Sequence, residues 1–109
     1  MKYEIEITDS ARRDFENIYL YISGKLCNKQ AAKNLIVSLN EKILSLAEMP
    51  EGYPQARDEY LKDMGIRFIP VKNYIVFYTV DTEGKKVYII RILYGKRSWE
   101  NILYDDLKN

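Results

Sequence analysis

Polar and apolar residues alternate at the start of the chain, which predicts a half-buried strand over residues 2–8. Apolar residues then recur every three or four positions in two stretches, as in two amphipathic helices. The first stripe is Ala11, Phe15, Ile18, Ile22 and Leu26. The second stripe is Ala32, Ile36, Leu39, Ile43 and Leu46. Thr8 and Asn28 are candidate N-caps, and the short connection predicts an antiparallel helical hairpin.

After a loop that begins at Pro50, the pattern of apolar residues changes to one typical of β-strands. The loop predicts one helical turn around Asp58 to Leu61, and three strands come after it. They are expected over Ile66–Val71, Tyr74–Val80 and Lys86–Tyr94. Pro70 makes the first of them an edge strand, because proline cannot donate to a strand ladder.

The third of these strands is almost continuously apolar, so it should be central and covered on both faces. Ser98 is a candidate cap for a C-terminal helix that runs to about Leu107. The order β-α-α-β-β-β-α predicts an α+β fold in one domain, residues 1–109. We expect a small twisted antiparallel sheet, the helical hairpin packed on one face, and the other face free for function.

Composition excludes several kinds of chemistry. The 109 residues include no histidine and one cysteine, so Ser-His-Asp and Cys-His catalysis are excluded, and no metal site or cofactor is predicted. No apolar stretch approaches the length of a membrane span. The free cysteine and the polar residues close to Met1 predict a cytoplasmic protein without a membrane partner.

Charge is uneven along the chain, although the net charge is only +1. Residues 64–99 carry seven basic and two acidic side chains, a net charge of +5, between two mildly acidic segments. Cations alternate there with aromatic rings, a pattern that can bind phosphates, bases or an acidic peptide. The candidate binding residues are Arg67, Lys72, Arg91, Tyr94, Lys96, Arg97 and Trp99. Arg91 interrupts an apolar strand, so a structural ion pair and a binding role are both open.

The chain resembles the RelE/ParE superfamily of toxins from type II toxin–antitoxin modules. The resemblance is carried, in this order, by the opening strand and by residues 11–18, 21–22, 46, 49–54, 65–67, 71–78 and 90–97. It implies a cytoplasmic toxin of a plasmid-stabilisation module, neutralised by a cognate antitoxin. It also implies one of two activities. RelE-like members cleave mRNA on the ribosome, whereas ParE-like members poison DNA gyrase by protein contact.

The RelE-like pattern has an arginine after the tyrosine of the middle strand, but Ile75 follows Tyr74 here. It also has alternating cations on the preceding strand, where this chain has Arg67 and then Phe68. If the chain were RelE-like, its catalytic candidates would be Arg67, Arg97, Tyr94 and Tyr104.

The resemblance therefore favours the ParE-like branch, a toxin that acts on gyrase without catalysis. A ribosome-dependent endoribonuclease is the alternative, and a decayed, non-toxic binding module is a third hypothesis. In each active case we expect the antitoxin to cover the basic segment 67–97 with a partly acidic, partly apolar stretch.

Overall fold

The computed structural model describes residues 2–56, 59–96 and 99–108. Strand β1 (Glu4–Ile7) leads into helix α1 (Asp9–Leu20), a π-helical turn (Tyr21–Lys25) and helix α2 (Lys29–Ser45). A short helix α3 (Glu59–Asp63) precedes β2 (Arg67–Val71), β3 (Tyr74–Asp81), β4 (Lys86–Tyr94) and helix α4 (Trp99–Lys108). The predicted element order and the α+β class are confirmed. Every helix in these described ranges is too short or too polar to span a bilayer.

The two predicted caps begin the helices of the hairpin. The Thr8 hydroxyl accepts a hydrogen bond from the Ala11 N–H at 3.2 Å, and Asn28 Oδ1 accepts one from the Ala31 N–H at 3.0 Å. The first helix ends earlier than its apolar stripe, because the chain forms a π-turn from Tyr21. The Leu26 N–H donates to the Tyr21 carbonyl five residues before it.

The sheet has the strand order β1-β4-β3-β2, so β4 is central and β2 is at the edge, as predicted. β2, β3 and β4 form antiparallel pairs, but β1 pairs with β4 in parallel, with Ile7 opposite Ile89. The expectation of an antiparallel sheet is therefore corrected to a mixed sheet. Apolar alternation identifies a strand but not its neighbour, and the long helical crossover after β1 permits a parallel partner.

The helical hairpin packs on one face of the sheet and forms the larger core. Leu35, Leu39 and Ile43 from α2 lie against Ile69, Val76, Tyr78, Ile89 and Ile92 from the strands. Tyr78 is fully buried, and its hydroxyl donates to the Pro50 carbonyl at 2.8 Å. Burial raises the pKa of Tyr78 to about 12, with smaller contributions from the neighbouring charges.

The opposite face of the sheet is covered by a second core, which corrects the expectation that this face is free. Leu61 of α3 and Leu103 of α4 are buried there against Phe77 and Leu93. The Trp99 ring lies 5.1 Å from the Phe77 ring. The physical reason is that β4 is apolar on both faces, and only α3 and α4 can cover the second one. The prediction that β4 is covered on both faces is confirmed.

Candidate functional site

A cleft opens where β1 ends and β4 continues beyond it. The last pair of the β1–β4 ladder is Ile7 with Ile89. Just past it the Thr8 hydroxyl donates to the carbonyls of Ile89, at 2.8 Å, and Ile90, at 3.2 Å. Helix α1 then crosses over the sheet, so the rest of this β4 edge has side chains beside it instead of a strand.

Asp14 of α1 replaces the missing strand at one position. Its Oδ2 accepts the Ile92 N–H at 2.8 Å, a hydrogen bond that a neighbouring strand would otherwise make. The same carboxylate forms a two-point ion pair with Arg91, with Nε–Oδ2 at 2.8 Å and Nη2–Oδ1 at 3.0 Å. The two side chains are only 11 % and 19 % exposed, so Arg91 has the structural ion pair that the sequence left open.

The cleft has a volume of about 620 Å³, a size typical of ligand sites. One wall comes from α1 and the π-turn, with Asn17, Tyr21 and Leu26. The other wall comes from the start of β3 and the end of β4, with Tyr74 and Tyr94. The Asp14–Arg91 pair is also part of the lining, so the cleft combines apolar surface with a few polar groups.

Three tyrosines meet in this cleft. The rings of Tyr74 and Tyr94 are 5.6 Å apart and edge-on. Burial raises the pKa of Tyr74, and the nearby hydroxyls of Tyr21 and Tyr94 raise it further. The Tyr74 hydroxyl is therefore neutral at physiological pH and can both donate and accept hydrogen bonds. Such a surface binds apolar or aromatic side chains while keeping polar contacts available.

Two exposed lysines flank the strand ends that form the second wall. Lys72 is in the β2–β3 turn and Lys96 follows β4. The Gly95 N–H donates to the Asn73 carbonyl at 2.8 Å, which holds the two segments together. Lys72 has a φ of 55°, a left-handed backbone that the tight turn requires. Lys72 directly precedes Asn73, and Lys96 follows Tyr94 by two residues; Asn73 and Tyr94 both line the cleft.

Arg67 lies elsewhere, on the edge strand β2. Its Nη1 donates to the Tyr53 carbonyl at 2.6 Å and to the Glu51 carbonyl at 3.4 Å. Its Nη2 is also 3.8 Å from the Glu51 carboxylate. This guanidinium therefore fastens the 51–55 loop to the sheet.

The remaining predicted residues do not join the cleft. Trp99 packs on Phe77 in the second core, and the Tyr104 ring lies 5.2 Å from the Tyr60 ring. Arg97 and the proposed cap Ser98 lie outside the described residues, as does Asp58. Of the predicted site residues, the structure thus brings together Arg91 and Tyr94 in the lining of the cleft. Binding by any of these residues stays a prediction.

The sequence pattern did not predict the residues that α1 and the π-turn contribute to the cleft. Asp14 was the one with a signal, because it follows Ala11 by three positions and so belongs to the buried stripe. A carboxylate on an apolar stripe is costly to bury unless a cation pairs with it, and Arg91 on an apolar strand is such a cation. Tyr21 carried no such signal, because its place depends on the π-turn.

The fold is that of RelE/ParE toxins. The ParDE system from Pseudomonas aeruginosa contains a chain with a TM-score of 0.69 and 18 % identity, covering 85 % of this chain and 96 % of that one. A chain of the RelBE2 toxin–antitoxin complex from Mycobacterium tuberculosis has a TM-score of 0.65 and 20 % identity. The match covers 86 % of this chain and 99 % of that one. A mutant of Escherichia coli RelE in the free state has a TM-score of 0.63 and 15 % identity. The match covers 99 % of this chain and 97 % of that one.

The family model for the ParE toxin of the type II parDE toxin–antitoxin system matches residues 5–99. The chain therefore belongs to the ParE toxin family. No curated protein sequence is similar enough to match it.

Proposed function

We propose that this protein is the toxin of a type II module, that it inhibits DNA gyrase by protein–protein contact, and that a cognate antitoxin neutralises it in the cytoplasm. The observation that carries the proposal is which residues occupy the positions where RelE-like nucleases have cations. Phe68 and Ile75 are apolar there, and both pack against the second core. A side chain committed to a core cannot stabilise charge on a phosphate.

Arg67 supports the same conclusion, because it is the one cation that β2 does carry. Its guanidinium donates hydrogen bonds to the carbonyls of Glu51 and Tyr53 and pairs with the Glu51 carboxylate. Binding a scissile phosphate there would cost these contacts and release the 51–55 loop. The arrangement favours loop anchoring over catalysis.

The cleft has the composition of a protein-binding site. It presents tyrosine rings together with the exposed side chains of Tyr21 (49 % exposed) and Leu26 (55 % exposed). Tyrosines are enriched where proteins bind each other, because one ring supplies both apolar area and a hydroxyl. A low net charge of +1 also suits a protein partner better than RNA, whose phosphates favour strongly basic proteins.

The proposal is tested by adding the purified chain to gyrase and measuring supercoiling of relaxed plasmid, with topoisomerase IV assayed in parallel. We expect supercoiling to fall as the chain is added. A matched variant, Tyr94→Ala, should inhibit less, because it removes a ring from the cleft without touching the second core. Full supercoiling at every concentration would contradict the gyrase target.

Induction in cells separates the alternatives. Primer extension on translated mRNA should show no new cleavage after induction of the chain. Cleavage that disappears in Arg97→Ala would instead establish the ribosome-dependent endoribonuclease. Induction without growth arrest would establish the non-toxic binding module.

A further inference from the structure

The outer face of α2, which points away from the sheet, carries apolar side chains that contact water. Val37 is 54 % exposed and Leu44 is 65 % exposed. The two are seven residues apart, so they lie on the same side of the helix. Leu39 and Ile43 of the same helix are buried in the larger core and face the opposite way. Helix α2 therefore has a second apolar stripe that the chain itself does not cover.

A groove between the two helices of the hairpin continues this apolar surface. Its volume is about 370 Å³, and it is lined by Phe15, Glu16, Tyr19, Leu20 and Ile36. The last of these residues directly precedes Val37 in α2, so the groove adjoins the exposed stripe. Contiguous apolar surface on a small protein marks a site where another protein binds.

The charges around Val37 make this face complementary to itself. Lys33 lies four residues before Val37 and Glu41 lies four residues after it, and both side chains are exposed. Within the described ranges, neither of them has an ion-pair partner. If two copies of α2 pack antiparallel with their Val37 side chains in contact, each Lys33 lies opposite the Glu41 of the other copy. Two ion pairs then form together, because a two-fold axis repeats every contact.

We propose that a second copy of this chain binds the outer face of the hairpin, with the two α2 helices antiparallel about Val37. Helix α2 has 17 residues, which makes it about 25 Å long. The two helices of the hairpin are together about 20 Å wide, so each copy covers about 500 Å² of the other. This area is at the lower end for specific complexes and predicts a weak dimer, with a dissociation constant of about 10 μM.

The dimer leaves the cleft of each copy open. Asp14 and Asn17 of α1 line the cleft, whereas Glu16 and Tyr19 of the same helix line the groove. The two surfaces therefore use different sides of α1. A dimer formed through the hairpin presents two clefts at once, whatever the cleft binds.

Sedimentation equilibrium of the full chain tests the proposal. Between about 1 and about 200 μM, we expect the weight-average mass to rise from that of one chain toward that of two. Lys33→Glu alone and Glu41→Lys alone should each weaken the dimer by about tenfold or more, because like charges then meet across the two-fold axis. Lys42→Glu, at an exposed position of the same helix, is the matched control and should dimerise as the unchanged chain does. A monomer at every concentration would overturn the proposal.

Mixing the two charge variants tests the antiparallel register. A Lys33→Glu chain that faces a Glu41→Lys chain has opposite charges at both contacts, so the mixture should dimerise more tightly than either variant alone. A chain that carries both changes should dimerise with itself for the same reason. A mixture no tighter than its components, or single variants that dimerise as well as the unchanged chain, would overturn the pairing of α2 about Val37.

Discussion

At the scale of single residues, the buried polar side chains within the described ranges have hydrogen-bond partners, and three of these pairs join distant parts of the chain. Asp14 connects α1 to β4, Arg67 connects β2 to the 51–55 loop, and Tyr78 connects β3 to Pro50. Buried polar groups are costly when they lose a partner. Replacing one member of such a pair should therefore disturb both of the segments that it joins.

Asp14→Asn should lower the free energy of unfolding by about 3 kcal/mol, toward the lower end for a buried ion pair because Arg91 remains partly exposed. The amide can still accept the Ile92 N–H but removes the carboxylate charge that faces the guanidinium. Urea denaturation measures the change. Glu16→Gln, on the exposed side of the same helix, is the control and should stay within about 0.5 kcal/mol.

A second substitution distinguishes charge from packing. Adding Arg91→Gln to Asp14→Asn should recover part of the lost stability, because both charges of the ion pair are then removed together. If the double variant is as unstable as the sum of the two single ones, the ion pair is not what holds α1 to β4.

Tyr78 makes stability depend on alkaline pH. Its pKa is about 12 in the folded protein against about 10 for an ordinary tyrosine, so the folded state holds this proton more tightly. The stability that this difference in pKa contributes to the folded state is complete below about pH 10 and is lost as pH rises through about 12. Urea denaturation at several pH values should show the fall, and Tyr78→Phe should make it shallower. An equal fall in both proteins would assign it to other groups.

At the scale of elements, the sequence predicted what depends on local pattern and missed what depends on distant pairing. The stripes, caps and edge proline placed the helices and strands close to their observed bounds, because period and capping are local. The parallel pairing of β1 with β4 and the π-turn were not predicted, since neither leaves a local pattern. Likewise Tyr94 and Arg91 stood out within one strand, whereas Asp14 and Tyr21 reach the cleft only through the crossing of α1.

The two helix caps of the hairpin provide a matched comparison. Asn28→Ala should cost about 1 kcal/mol, the usual value of an N-cap. Thr8→Ala should cost about 1 kcal/mol more, because its hydroxyl also donates to the carbonyls of Ile89 and Ile90. Thermal or urea denaturation of both variants measures the difference. Equal costs would mean that the Thr8 hydroxyl does nothing for the end of the β1–β4 ladder.

At the scale of the whole molecule, a core on each face of the sheet makes α4 part of the fold. Leu39 and Leu103 are both fully buried, one in each core. With one face closed by α3 and α4, the cleft beside β4 is the place where the described surface combines an open strand edge with aromatic side chains. The second core thereby closes one face of the sheet and leaves the cleft on the other side.

Three leucine substitutions test the equivalence of the two cores. Leu39→Ala and Leu103→Ala should each cost about 2–5 kcal/mol of unfolding free energy. Leu44→Ala, at a side chain that is 65 % exposed, should change it by less than about 0.5 kcal/mol. Chemical denaturation gives all three values. A cost for Leu103→Ala as small as that for Leu44→Ala would show that α4 is only loosely attached.

The parallel pairing of residues 4–7 with residues 86–89 also has a consequence for synthesis. Strand β1 leaves the ribosome well before its partner β4, so the helical hairpin emerges with its apolar stripes uncovered. Contacts this distant along the chain form late in folding. A ribosome that stops before β4 is complete therefore releases a fragment without the cleft. The cleft forms only after β4 has left the ribosome.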